Sequence, residues 1–181
     1  MYVGRYSPEK NLLRLLEAYG LYRQGSATKW SLVLVGDGPQ RSELERFVSR
    51  SGLEGVLFKR FAPIQDLPTY YALAGCFILP STVDPWGLVV NEAMACGLPV
   101  IVSDLCGCAP ELVQEGENGF RCDPYDVGAI AALLGRMASL DANLRQNMRH
   151  ISRKIISEFT PRIWANNLAR CVKTVAANNS W

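Results

Sequence analysis

Residues 76–103 read CFILPSTVDPWGLVVNEAMACGLPVIVS, and this stretch decides the fold. Two short apolar runs, Cys76 to Pro80 and Pro99 to Ser103, have the length of buried strands. Between them, Gly87 to Cys96 is apolar on nearly every side of a helical projection, which marks a central helix. Strand, helix and strand in this order make a parallel unit with a right-handed crossover. The alternation continues outward. Upstream lie strand candidates at Tyr2 to Arg5, Trp30 to Val35 and Val56 to Phe61, and downstream one at Gly119 to Cys122. Helical patterns fall near Lys10 to Tyr22, Gln40 to Ser51, Gln65 to Ala74, Ala109 to Glu115 and Val127 to Ala138. The expected fold class is α/β: a single Rossmann-like, doubly wound domain with a mainly parallel six-stranded sheet. Asp141 to Phe159 and Pro161 to Ala177 read as two C-terminal helices with no further strand.

The composition agrees with one globular domain. The chain has 181 residues, 49% of them hydrophobic and 20% charged, which suits a packed core and argues against disorder. A net charge of +2 with scattered Lys and Arg predicts no nucleic-acid partner. No apolar run approaches the roughly 20 residues of a membrane-spanning helix, and Met1 to Arg5 show no charged-then-apolar signal pattern, so a cytoplasmic location is expected. The six cysteines sit mostly in apolar stretches and read as buried free thiols. Cys106 and Cys108 lack a second pair at metal-ligand spacing, and the one histidine, His150, lies in a polar helical stretch, so no metal is expected.

In an open parallel sheet, ligands bind beyond the carboxyl ends of the strands, which directs attention to the loops there. After the first strand, Arg5 and Lys10 offer a forked donor and a point charge for an anion, with Ser7 as N-cap and Pro8 at the first helical position. Lys10 in a first turn opposes the helix dipole, which calls for a compensating negative group. After the second strand, Gly36 and Gly38 permit close backbone approach, but the glycine pattern is not that of a dinucleotide site. After the fourth, Asp84 precedes the helix whose free N–H groups at Gly87, Leu88 and Val89 form an anion site. Glu92 interrupts the apolar helix and needs hydrogen-bond donors there. The segment from Asp104 to Val113 reads as structural, with Gly107 a candidate for close backbone approach to a ligand.

Taken together these residues are similar to the C-terminal domain of family 4 glycosyltransferases, retaining enzymes of the GT-B fold. The resemblance runs from about Val3 to Phe159 and is most specific from Asp84 to Pro99, where two acidic residues are separated by seven others. It implies that Arg5, Lys10 and Asp84 belong to the catalytic set, the first two on the diphosphate and Asp84 toward the donor sugar. It further implies that Glu92 accepts from ribose hydroxyls, and that Phe61, Ala62 and Pro63 line the base. Two departures stand out: Asp84 occupies a position usually held by Glu, and Ala62 one where glycine is common.

The resemblance implies no cofactor and no metal, with a UDP-, GDP- or ADP-sugar as donor. Residues 1–159 are then the nucleotide-sugar domain, and 160–181 a helix and tail that crosses to an N-terminal acceptor domain absent from this chain. The expected function is the donor half of a retaining hexosyltransferase in polysaccharide or glycolipid synthesis, inactive by itself. Any membrane association would be peripheral, through the absent domain. A natural stand-alone nucleotide-sugar-binding subunit or a sugar-nucleotide epimerase are the alternatives. Self-association through the C-terminal helix is also expected.

Overall fold

The structure, a computed structural model, describes residues 1–60, 63 and 65–178. Its strands are β1 (Tyr2–Val3), β2 (Leu32–Val35), β3 (Val56–Lys59), β4 (Phe77–Leu79), β5 (Val100–Ser103) and β6 (Gly119–Cys122). Its helices are α1 (Leu12–Gly25), α2 (Arg41–Ser51), α3 (Leu67–Leu73), α4 (Leu88–Ala95), α5 (Ala109–Leu112), α6 (Val127–Ser139), α7 (Ala142–Ser157) and α8 (Pro161–Asn178). All strand pairing is parallel, as the helix between each pair of strands requires.

The hydrogen bonds divide the strands into two three-stranded sheets, β1-β2-β3 and β4-β5-β6, where one continuous sheet was expected. The reason is the shortness of β1. Beside it, Met1 N donates to the Cys76 carbonyl at 2.7 Å, and Ile78 N donates to the Met1 carbonyl at 2.9 Å. This single parallel contact sets the halves edge to edge, in the spatial order β3-β2-β1-β4-β5-β6. The chain winds outward from β1, returns, and winds outward again from β4, so the topological switch lies between those two strands.

β4 and β5 are buried along their whole length, with Phe77, Ile78, Leu79, Val100, Ile101 and Val102 at most 1% exposed. That accounts for their unbroken apolar runs, since a central parallel strand is covered on both faces. α1 and α6 cover one side together, with Leu12, Leu15, Leu16, Tyr19, Ile130 and Met137 in the common core. His150 is exposed, and all six cysteines are free thiols. No single described helix is long and apolar enough to cross a membrane.

Two boundaries differ from expectation for local reasons. β1 ends at Val3 because Gly4 turns away at φ 150°. α1 starts at Leu12, not Lys10, because Pro8–Lys10 forms a single 3-10 turn and Asn11 takes a left-handed conformation at φ 60°. The Asn11 side chain offsets that strain. Its Nδ2 donates to the Pro80 carbonyl at 3.1 Å and the Pro124 carbonyl at 2.7 Å, fastening the loops after β4 and β6 to the start of α1.

Candidate donor-binding site

The loops after β1 and β4 meet at the switch point. Thr82 N donates to the Glu9 carbonyl at 2.8 Å, and Lys10 Nζ lies 2.7 Å from Asp84 Oδ2. The sequence called for a negative group beside Lys10, and in the protein by itself Asp84 is that group. Lys10 also stands at the end of the 3-10 turn, ahead of α1, so the unfavourable helix position expected for it does not arise. Ser7 does not cap through its side chain; its hydroxyl donates to the Glu9 carboxylate instead.

Arg5, in the loop after β1, is exposed, and its carbonyl accepts from the buried Tyr2 hydroxyl at 2.8 Å. The loop beyond it is held from below. Tyr6 donates from its hydroxyl to the Leu34 carbonyl at 2.8 Å and from its N–H to the Asp37 carbonyl at 2.9 Å.

Gly36 and Gly38 serve this packing. A Cβ on Gly36 would stand 1.9 Å from the Gly4 carbonyl oxygen, and one on Gly38 2.5 Å from that of Tyr6. Close backbone approach is therefore required here, between two loops of the protein itself. Gly107 follows the same rule, because its Cβ would lie 2.0 Å from the Pro85 carbonyl oxygen. The approach expected of it toward a ligand is an approach to the turn before α4.

That turn is braced from behind by the loop after β5. Gly107 N donates to the Asp84 carbonyl at 3.0 Å and Cys108 N to the Trp86 carbonyl at 3.1 Å. Cys106 and Cys108 are buried under it, and burial followed by the nearby Asp84 charge pushes their thiols up to about 12 and about 11. Both are inert neutral groups at physiological pH. Among the described residues no cluster of three or more His, Cys, Asp or Glu side chains could hold a metal ion.

Gly87 opens α4 at φ 93°, a conformation its lack of Cβ permits, and its Cβ would also press within 2.8 Å of Leu79 Cδ2. The first N–H groups of the helix, at Gly87, Leu88 and Val89, follow directly on the turn whose Asp84 pairs with Lys10, and they carry the positive end of the helix dipole. Trp86, beside them, donates from Nε1 to Asn91 Oδ1 at 2.9 Å and packs on Phe159 with ring centroids 6.3 Å apart.

One helical turn further, half-buried Glu92 receives the Tyr71 hydroxyl at 2.9 Å on Oε2. Burial, then the Glu92 charge, raises the Tyr71 hydroxyl well above the usual tyrosine range, so it remains a donor. Tyr71 comes from α3, and no spacing in the sequence connects it to Glu92. Asn11 was likewise passed over, although a polar residue directly after Pro8-Glu9-Lys10 is suited to a left-handed cap.

Of the base-contacting candidates, Phe61 and Ala62 lie outside the described residues, while Pro63 is exposed and accepts Asp66 N at 2.9 Å as the chain enters α3. A separate cavity of about 520 Å³, lined by Met1, Tyr19, Trp30 and Arg145 among others, opens at the amino ends of the strands, away from these loops.

A family model described as glycosyl transferases group 1 matches residues 1–155. The chain is 38% identical over 134 residues to the O-antigen chain mannosyltransferase B of Escherichia coli, an alignment covering 73% of this chain and 34% of that protein. It is 39% identical over 141 residues to the GDP-mannose-dependent alpha-(1-6)-phosphatidylinositol monomannoside mannosyltransferase of Mycolicibacterium smegmatis, covering 74% of this chain and 36% of that one. Anabaena HepE, solved in complex with UDP, superposes with a TM-score of 0.78 at 28% identity, covering 97% of this chain and 48% of that one. The chain thus spans about a third of the length of the curated relatives it matches.

Proposed function

The chain belongs to the glycosyl transferases group 1 family, and on that premise we propose that it is the donor-binding half of a retaining hexosyltransferase. The observation that carries this reading is the Lys10–Asp84 pair at the β1–β4 switch, directly ahead of the first turn of α4, with Arg5 exposed in the loop that carries Lys10.

A nucleotide diphosphate fits that arrangement. Its phosphates lie against the N–H groups of Gly87 to Val89, with Arg5 and Lys10 on their oxygens. When the bond from the anomeric carbon to the phosphate oxygen breaks, its electron pair stays on the leaving diphosphate. The two cations and the helix N-terminus stabilise that charge, the task a bound metal performs elsewhere. Glu92, oriented by Tyr71, accepts from ribose hydroxyls.

The names of the two mannosyltransferase relatives put GDP-mannose first among the donors to try, ahead of UDP- and ADP-sugars. The remaining two thirds of such enzymes would supply the acceptor site. Since positioning of both substrates contributes much of the rate, this chain alone is expected to bind donor with little or no transfer. The setting that fits these relatives is assembly of a cell-surface polysaccharide or glycolipid.

Titration calorimetry with GDP-mannose, UDP-glucose and ADP-glucose, each with and without EDTA, tests the reading. One donor binds, and EDTA leaves its affinity unchanged. If none of the three binds, the reading is wrong.

A further inference from the structure

The cavity of about 520 Å³ at the amino ends of the strands has the size of a small-molecule site. We propose that it binds an organic oxyanion, a carboxylate or phosphate ester carried on a flat apolar body.

Its walls are mostly carbon. Tyr19, Tyr22, Trp30 and Met137 line it, and the two tyrosine hydroxyls are spent on the protein's own backbone. Tyr19 Oη donates to the Trp30 carbonyl at 2.8 Å and Tyr22 Oη to the Thr28 carbonyl at 2.6 Å, while Trp30 N donates to Tyr22 Oη at 2.7 Å. These residues therefore offer an occupant ring surface and no spare donor. The Trp30 indole is fixed in place as a wall. Arg145 Cζ stands 4.8 Å from its ring centroid, and a Cβ on Gly75 would come within 2.7 Å of Trp30 Cη2, so only glycine there lets the ring lie against the backbone.

The charge at this cavity is of one sign. Arg145 and Arg149, one turn apart on α7, line it, and among the described residues no carboxylate does. Neither arginine forms an ion pair with a described residue. Arg145 Nη2 donates to the Leu140 carbonyl at 2.7 Å and Arg149 Nη1 to the Ala74 carbonyl at 3.4 Å, which leaves most N–H donors of each guanidinium unused. Arg145 Nε is buried with no hydrogen-bond partner among the described residues, so this guanidinium is short of acceptors where it stands. Burial, then the charges of Arg153 and Arg145, holds the Arg149 guanidinium below the usual arginine range, as expected of cations crowded without a counter-ion.

An oxyanion supplies both the missing charge and the missing acceptors, and the planar guanidinium fork suits a carboxylate or a phosphate. An inorganic anion would forgo the apolar walls, and a neutral apolar molecule would forgo the arginines. Both halves of the ligand are needed.

Calorimetry with naphthoate, naphthyl phosphate and the neutral naphthylmethanol tests this in the unsubstituted chain, Arg149→Gln and Arg170→Gln, the last on the exposed face of α8. At least one of the two anions binds, the tighter one identifying the headgroup, and the alcohol binds about tenfold more weakly or not at all. Arg149→Gln weakens the anion about tenfold and leaves the alcohol unchanged, whereas Arg170→Gln affects neither. No binding by either anion, an alcohol as tight as the anions, or equal losses in the two variants overturns the proposal. Should Arg149→Gln fail to fold, Arg145→Gln takes its place with the same expectation, and the comparison of anion with alcohol requires no variant.

Discussion

The Tyr71 hydroxyl donates to Glu92 Oε2 at 2.9 Å, so the one carboxylate of α4 is oriented by a residue from the helix before it. One oxygen of Glu92 is fixed and the other is left to accept from a ligand. Tyr71→Phe is therefore expected to weaken nucleotide binding severalfold through Glu92 while leaving inorganic pyrophosphate, which has no ribose, unaffected. Loss of the hydrogen bond costs about 1 kcal/mol, or roughly 2–4 °C in a domain of this size. Calorimetry with both ligands and a thermal melt check the two effects.

Gly36 and Gly52 differ in what surrounds them although both have positive φ. At Gly52 the space for a Cβ is open, so Gly52→Ala costs only the left-handed backbone, about 1–2 kcal/mol. At Gly36 the same substitution drives a methyl onto the Gly4 carbonyl, so the loops after β1 and β2 must part. Gly36→Ala should lower the urea midpoint by more than Gly52→Ala and reduce nucleotide affinity as well. Equal stability losses would show that the loop contact is dispensable.

Alkaline pH should unfold the protein through its buried thiols. Burial holds Cys76, Cys106 and Cys122 up to about 12 and Cys108 to about 11, against 9.0 for an unperturbed thiol. Above pH 9 the unfolded chain loses these protons while the native chain keeps them, so stability is fully present below pH 9 and falls as pH rises through 11 to 12. Urea midpoints measured from pH 7 to 11 check the sign. At pH 8, thiol reagents should modify exposed Cys171 quickly and these four only on unfolding.

The C-terminal helix contributes little to the fold. On α8, Trp164, Leu168, Val172 and Val175 recur at helical spacing and are 67%, 49%, 60% and 58% exposed. Removing residues 161–181 should shift the thermal midpoint by no more than ~2 °C, as expected for surface positions, and leave donor affinity unchanged. In the proposed larger enzyme this face is expected to meet the acceptor domain, and in the isolated chain to associate with a second copy. Sedimentation of the full and shortened chains distinguishes the two, with concentration-dependent association only in the full one.

The parts of the fold that the sequence makes legible are those where burial leaves a continuous apolar run. β4, α4 and β5 fall within residues 76–103 as read, because a central parallel unit has no solvent face to interrupt its pattern. The edges were less legible. β1 is half its expected length, and the start of α1 depends on Asn11 bonding to carbonyls of residues 80 and 124, contacts no local pattern encodes. In the candidate site, Asp84 and Glu92 stand out in the sequence as carboxylates just before and within an apolar helix. Their partners, Lys10 and Tyr71, are 74 and 21 residues away, and only the folded chain pairs them. Gly36, Gly38 and Gly107 suggest close approach to a ligand in the sequence, whereas the backbone they admit in the structure is the protein's own.

The central claim is a nucleotide-sugar site at the β1–β4 switch, and thermal stabilisation by donor in the unsubstituted chain, Lys10→Ala and Glu92→Ala tests it most directly. At a hundred times the dissociation constant, the bound donor should stabilise the unsubstituted chain by about 2.7 kcal/mol. At that same donor concentration both variants should lose most of the stabilisation, each measured against its own ligand-free melt, which for Glu92→Ala should fall by roughly 2–4 °C with the loss of the Tyr71 hydrogen bond. Equal stabilisation of all three chains would contradict the account.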